Sequence, residues 1–178
     1  MYEERIEEIL FTEEEIKEKI KELAQKISHD YQGKSPLLIG LLKGAYVFLA
    51  DLSRELSVPH YIDFIDVSSY GDNTESSGVV KIEKDIDRTV TGKDVILVDD
   101  IIDTGLTLNY LKQHFLPQKP NSIKLCTLLS KPKRRKVDLE SDYFGFSIPD
   151  YFVVGFGLGH KGLYRNLKYI GVLKKEYQ

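Results

Sequence analysis

The stretch 95–107, VILVDDIIDTGLT, limits the possible folds of this chain more than any other. A β-branched and aliphatic run with the length of a buried parallel strand (95–98) ends in Asp99 and Asp100. The turn Asp103-Thr104-Gly105-Leu106-Thr107 then opens a helix. A strand-turn-helix unit of this kind belongs to open α/β sheets, where ligands bind beyond the carboxyl ends of the strands. Asp99 and Asp100 are expected there, just past the strand. Thr104, Gly105 and Thr107 are small or hydroxylated, so backbone N–H groups can close around a phosphate at the positive end of the helix. Acids beside such a cradle suit a sugar phosphate: carboxylates accept its hydroxyls, amides bind its phosphate, and Mg²⁺ can bridge the acids to further phosphates. Taken alone, an Asp-Asp pair after a strand also reads as a helix cap or a solvated turn.

The remaining chain alternates helix and strand. Thr12 and Glu15 have capping-box spacing, and Ile16, Ile20, Leu23, Ile27 and Tyr31 follow at helical intervals until Gly33. Strands are expected at 37–42, 61–69, 79–82, 95–98, 122–129 and 151–156, with a Lys43-Gly44 turn and a helix over 45–56. The pattern predicts an α/β fold, a mainly parallel twisted sheet with helices on both faces. Residues 70–78, YGDNTESSG, have almost nothing to bury and read as a mobile loop.

At 178 residues and 42% hydrophobic, the chain can build one core, so 1–178 reads as a single domain. Its net charge of −3 argues against general nucleic-acid binding. The single Cys126 lies in an apolar run and can form no internal disulfide, which fits a reducing compartment. The start, MYEERIEEIL, has no apolar signal core, and no stretch approaches a membrane span, so a cytoplasmic protein without a membrane partner is expected. Gly157-Leu-Gly159-His-Lys-Gly162 matches the spacing of a dinucleotide-binding fingerprint, but residues 163–178 are too few for the helix, strand and ribose-binding acid that must follow.

The pattern in 95–107 resembles the phosphoribosyl-pyrophosphate signature of the phosphoribosyltransferases. Lys131 at the end of SIKLCTLLSK, Phe152 and Val153 in IPDYFVVGFGL, and Arg165 in LYRNL narrow the resemblance to the hypoxanthine-guanine phosphoribosyltransferases, from about Leu37 to Leu173. The resemblance implies the type I phosphoribosyltransferase fold with a small hood built from the chain ends. It implies Mg²⁺-dependent transfer of 5-phosphoribosyl to hypoxanthine or guanine in purine salvage, giving IMP or GMP and pyrophosphate. The partners implied are phosphoribosyl pyrophosphate and a 6-oxopurine, in a homodimer or homotetramer.

Residue by residue, it makes Asp103 the proton acceptor and assigns phosphoribosyl binding to Asp99, Asp100, Asp103, Thr104, Gly105, Leu106 and Thr107. Asp99 and Asp100 also hold the metal. Pyrophosphate falls to Lys43, Gly44, Ser69, Tyr70 and Arg165, with a cis peptide at Leu42 to Lys43 and 70–78 as a lid. The purine falls to Lys131, Phe152, Val153 and Gly159. Lys131 donates and cannot accept, so it suits a 6-oxo group and disfavours adenine's amino group. Without the resemblance, Lys131 begins a solvated basic run over 131–136, Phe152 and Val153 are strand core, and Asp103 caps a helix.

Two positions depart from the family pattern, Gly159 the more important. Relatives usually carry an Asp, a second metal ligand, where this chain has Gly159, and an acid is common where it has Gly162. Two alternatives follow: a regulatory or binding protein of the same fold with little turnover, or an enzyme acting on xanthine or a pyrimidine.

Overall fold

Helical spacing becomes a helix where the sequence predicts one. In the computed structural model, which describes residues 2–69 and 80–178, α1 spans Glu13–Asp30 and buries Ile16, Ile20, Leu23 and Ile27. Each such side chain contributes roughly 1.5–3 kcal/mol on leaving water. Thr12 closes the amino end: its hydroxyl accepts from the Glu15 N–H, and the Glu15 carboxylate accepts from the Thr12 N–H at 2.8 Å.

The main sheet contains β2 (Leu37–Leu42), β3 (Tyr61–Ser69), β4 (Val80–Lys84), β5 (Asp94–Ile102), β6 (Ser122–Ser130) and β7 (Tyr143–Ser147) in the order β4-β3-β2-β5-β6-β7. Only the β3–β4 pair is antiparallel. Period-two alternation sorts the aliphatic side chains: Leu38, Ile96 and Val98 meet α1 and α2 (Tyr46–Glu55) on one face. Leu37, Ile39, Val95 and Leu97 meet Leu108, Leu111 and Phe115 of α3 (Leu106–Phe115) on the other. Helices therefore cover both faces, as the alternation predicts.

The chain ends form a second sheet, β1 (Ile6–Phe11), β9 (Ile170–Leu173) and β8 (Val153–Val154), antiparallel in the order β1-β9-β8. This is the expected hood. Phe11 stacks on Phe146 of β7 with ring centroids 3.9 Å apart and so docks it on the main sheet.

Three expectations change. Strand β5 continues to Ile102, because Asp99, Ile101 and Ile102 pair with Thr127, Leu129 and Ser130 of β6, so Asp99 and Asp100 lie within the strand and not past it. The strand expected over 151–156 shrinks to Val153–Val154, since Gly155 (φ 102°), Phe156 (φ 49°) and Gly157 (φ 97°) adopt left-handed backbone. The weakly patterned β1, β7 and β9 lie outside the strands that periodicity predicts, although the resemblance implies a hood at the chain ends. The fingerprint-like 157–162 segment forms turns with bridges Gly155–Leu158 and His160–Leu163, and no α-helix follows it.

Candidate active site

The carboxyl end of β5 places two acids side by side. The Asp100 N–H donates to Asp99 Oδ1 at 2.9 Å, and Asp100 is buried. Burial, and then the neighbouring Asp100 charge, push the Asp99 carboxyl well above the usual carboxylate range. Burial also raises Asp100, opposed by its contact with Asp99 and by the Arg165 guanidinium. The turn at Lys43 and Gly44 presses on this pair: a Cβ at residue 44 would overlap the Asp100 carboxylate, which would have to move to admit any side chain there. The peptide between Leu42 and Lys43 is cis, as the resemblance implies. A Cβ at Gly157 would in turn meet the Gly44 carbonyl, so the two glycines bring turn and loop together over the acids.

Beside the acids, α3 begins at Leu106 with Gly105 (φ 80°) as its N-cap, no side-chain cap and no acid in its first turn. The contrast with α1 is chemical: there Thr12, Glu13, Glu14 and Glu15 satisfy and neutralise the positive end, whereas at α3 the Leu106 N–H makes a long 3.4 Å contact with Thr104 Oγ1 and no acid offsets the dipole, which leaves that end open to an anion. Asp103 therefore does not cap the helix. Asp99, Asp100, Thr107, Gly44, Gly159 and Arg165 line one cavity of about 360 Å³. Gly159 has ordinary backbone, and a Cβ there would lie 2.8–2.9 Å from Arg165 Cζ, Cγ and Nε. Arg165 itself donates from Nη1 to the Gly157 carbonyl at 2.6 Å.

A second cavity, of about 670 Å³, holds Asp103, Lys131, Phe152 and Val153; Ile101 and Leu158 line both cavities and join them. Lys131 is buried, not solvated, and its backbone N–H donates to the Ile102 carbonyl at 2.9 Å, which ties the end of β6 to β5. Its Nζ donates to Asp150 Oδ1 at 3.3 Å. Phe152 is 39% exposed, too exposed for a core residue, and its ring stands perpendicular to that of His160 with centroids 5.1 Å apart. Val153 pairs with Val172 in the hood. The structure thus brings Lys131, Phe152, Val153 and Asp103 together, while Gly159, grouped with the purine on sequence, lies in the cavity of the acid pair. Ser69 ends β3, and Tyr70 and the 70–78 loop lie outside the described residues.

Sequence reasoning missed Arg134, Asp150 and the hood acids Glu7 and Glu8, which also line the second cavity. Arg134 was hidden in a basic run and Asp150 in a proline turn. Neither carries a local pattern.

A third cavity, about 650 Å³, opens at the amino ends of the strands. Its polar side chains partner one another, Tyr143 with Asp30, Lys124 with Asp142 and Ser122 with Asp94, which leaves little unmet for a ligand. Among the described residues no group of three or more His, Cys, Asp or Glu side chains forms a metal cage, and no helix is long and apolar enough to cross a membrane.

The phosphoribosyl transferase domain family matches residues 8–161. The chain is 53% identical over 169 residues to a hypoxanthine-guanine phosphoribosyltransferase of Bacillus subtilis, covering 95% of this chain and 94% of that protein. Among solved structures, a hypoxanthine phosphoribosyltransferase of Staphylococcus aureus superposes with a TM-score of 0.95 at 46% identity, covering 98% of this chain and 95% of the other. A hypoxanthine-guanine phosphoribosyltransferase of Bacillus anthracis, with a HEPES molecule in its active site, superposes at 0.91 and 52% identity, covering 95% and 99%.

Proposed function

Because the chain belongs to the phosphoribosyl transferase family, we propose that its two joined cavities carry out purine salvage, moving 5-phosphoribosyl from phosphoribosyl pyrophosphate to hypoxanthine or guanine. The products are IMP or GMP and pyrophosphate. The observation that carries this reading is the division of labour across Ile101 and Leu158: acids, a guanidinium and an open helix end on one side, a buried ammonium, a partly exposed aromatic ring and a carboxylate on the other.

The base stacks on Phe152, and its 6-oxo group accepts from Lys131 Nζ, which leaves adenine's amino group facing a donor. The Val153 backbone bonds the base edge. A purine nitrogen attacks the anomeric carbon, the carbon–oxygen bond to pyrophosphate breaks, and Asp103 takes the nitrogen's proton. The amides of 104–107 hold the 5-phosphate, and Asp99 and Asp100 accept the ribose hydroxyls. Arg165 and the turn at Lys43 and Gly44 hold the leaving pyrophosphate, with Ser69 and Tyr70 at the base of a lid over 70–78.

Two adjacent carboxyls, Asp100 buried and Asp99 half-buried, line one cavity and fit Mg²⁺; they would hold it, and it would neutralise phosphate charge. Gly159 offers a backbone carbonyl in the same cavity. We further assign 1–178 to one domain, since the hood residues Glu7 and Glu8 complete the base cavity. A cytoplasmic homodimer or homotetramer completes the reading, and sedimentation equilibrium measures its mass.

The test mixes the protein with phosphoribosyl pyrophosphate, Mg²⁺ and each purine in turn and follows ultraviolet absorbance. Hypoxanthine and guanine are converted with equal release of pyrophosphate, and adenine is not. Absence of turnover with every oxopurine would leave a binding protein, and conversion of adenine at the same rate would remove Lys131 from base selection.

A further inference from the structure

The groups assigned to the proton and to the 6-oxo atom come from different elements, Asp103 from the loop after β5 and Lys131 from the end of β6. A chain of alternating charges connects them. Arg134 Nε lies 2.6 Å from Asp103 Oδ1, an ion pair outside hydrogen-bond geometry. Its Nη1 donates to both Asp150 oxygens, at 3.3 and 3.1 Å, and Lys131 Nζ donates to Asp150 Oδ1 at 3.3 Å. The order is Asp103, Arg134, Asp150, Lys131.

We propose that Arg134 is a positioning residue, holding the Asp103 carboxylate in register with Lys131 so that both meet one bound base. Arg134 is itself well placed to do this. Its N–H donates to the Lys131 carbonyl at 3.0 Å within the 3-10 turn Pro132–Arg134. Arg135 anchors that turn from beneath, with Nη1 donating to the Ile102 carbonyl at 3.1 Å and also to the Asp103 carbonyl, and Nη2 donating to Ser130 Oγ at 3.0 Å. The turn backbone is thus tied to the loop carrying Asp103, and Arg134 is left to span the side chains.

Stability does not account for this arrangement. The Arg134 and Asp103 side chains are 39% and 36% exposed, and pairs so exposed contribute little to folding. Geometry accounts for it better. A planar guanidinium engages two acids at once where an ammonium acts as a point charge, and proton transfer tolerates little displacement of the acceptor. The inference rests on Asp103 being the proton acceptor, and its test separates the two claims.

Steady-state kinetics of Arg134→Gln, Arg134→Lys, Asp103→Asn and the Asp103→Asn/Arg134→Gln double variant make that test, with thermal unfolding as the folding control. Arg134→Gln lowers kcat about tenfold while KM for phosphoribosyl pyrophosphate stays within about twofold. Arg134→Lys recovers part of the loss. In the Asp103→Asn background, Arg134→Gln costs nothing further, because the acceptor it positions is gone. An unchanged kcat for Arg134→Gln, or the same tenfold loss in both backgrounds, overturns the positioning role. A parent-like rate for Asp103→Asn overturns the proton-acceptor reading instead, and the positioning role falls with it.

Discussion

At the scale of single residues, an unmet chemical need marks the site. Among the described residues the buried Lys131 ammonium pairs with the partly exposed Asp150, through one of its three donors, so it retains donors for a ligand. Lys131→Met keeps the stem and removes the donor, and Asp150 keeps Arg134 as a partner. The oxopurine then loses a charge-assisted bond of ~1.5–3 kcal/mol, so its KM rises about tenfold to a hundredfold and discrimination against adenine falls. Competition assays with hypoxanthine and adenine check this; unchanged discrimination places the reader elsewhere. Gly159 makes a different case. Its backbone is not left-handed, so an added side chain costs no φ strain, but its Cβ requires the Arg165 side chain to shift from Cγ outward. Gly159→Asp adds a carboxylate to the cavity of Asp99 and Asp100, and the Mg²⁺ concentration for half-maximal rate falls while pyrophosphate binds more tightly. Mg²⁺ titration of the rate and calorimetry with pyrophosphate measure both, and parent-like values in a folded variant refute the missing-ligand argument.

At the scale of elements, helix ends and strand interiors are specialised in opposite ways. The amino end of α1 is closed by its capping box, while that of α3 is left open toward the acid pair. Strand interiors exclude water. Cys126, midway along β6, is fully buried, and burial pushes its thiol far above the ordinary range. Burial disfavours the charged form, so no thiolate appears as the pH rises through ~8.5, where a free cysteine ionises. Native protein titrated with a thiol reagent at pH 9 therefore stays unlabelled on a timescale where denatured protein reacts fully. Rapid native labelling would mean that β6 opens locally.

At the scale of the whole molecule, the hood joins the chain ends to the base cavity. Its docking contact, Phe11 on Phe146, lies away from the reacting groups. Phe11→Ala costs about 1–3 kcal/mol of stability and raises KM for the base more than KM for phosphoribosyl pyrophosphate, because Glu7 and Glu8 of β1 line only the base cavity. Calorimetry and two-substrate kinetics read both effects, and equal shifts in the two KM values argue against the coupling. The sequence alone determined the α/β class, α1 with its cap, the parallel strands and the acid-turn-helix unit. Each of these is written in local periodicity or in side-chain chemistry over a few adjacent residues. Tertiary structure decided how far β5 runs, since the β6 ladder and not local preference extends it past Asp99 and Asp100. It also made strands of 6–11, 143–147 and 170–173, whose partners are distant in sequence. It placed Gly159 with the acids and not with the base, and it recruited Arg134 and Asp150. Those outcomes depend on contacts between segments far apart in the chain, which no local pattern encodes.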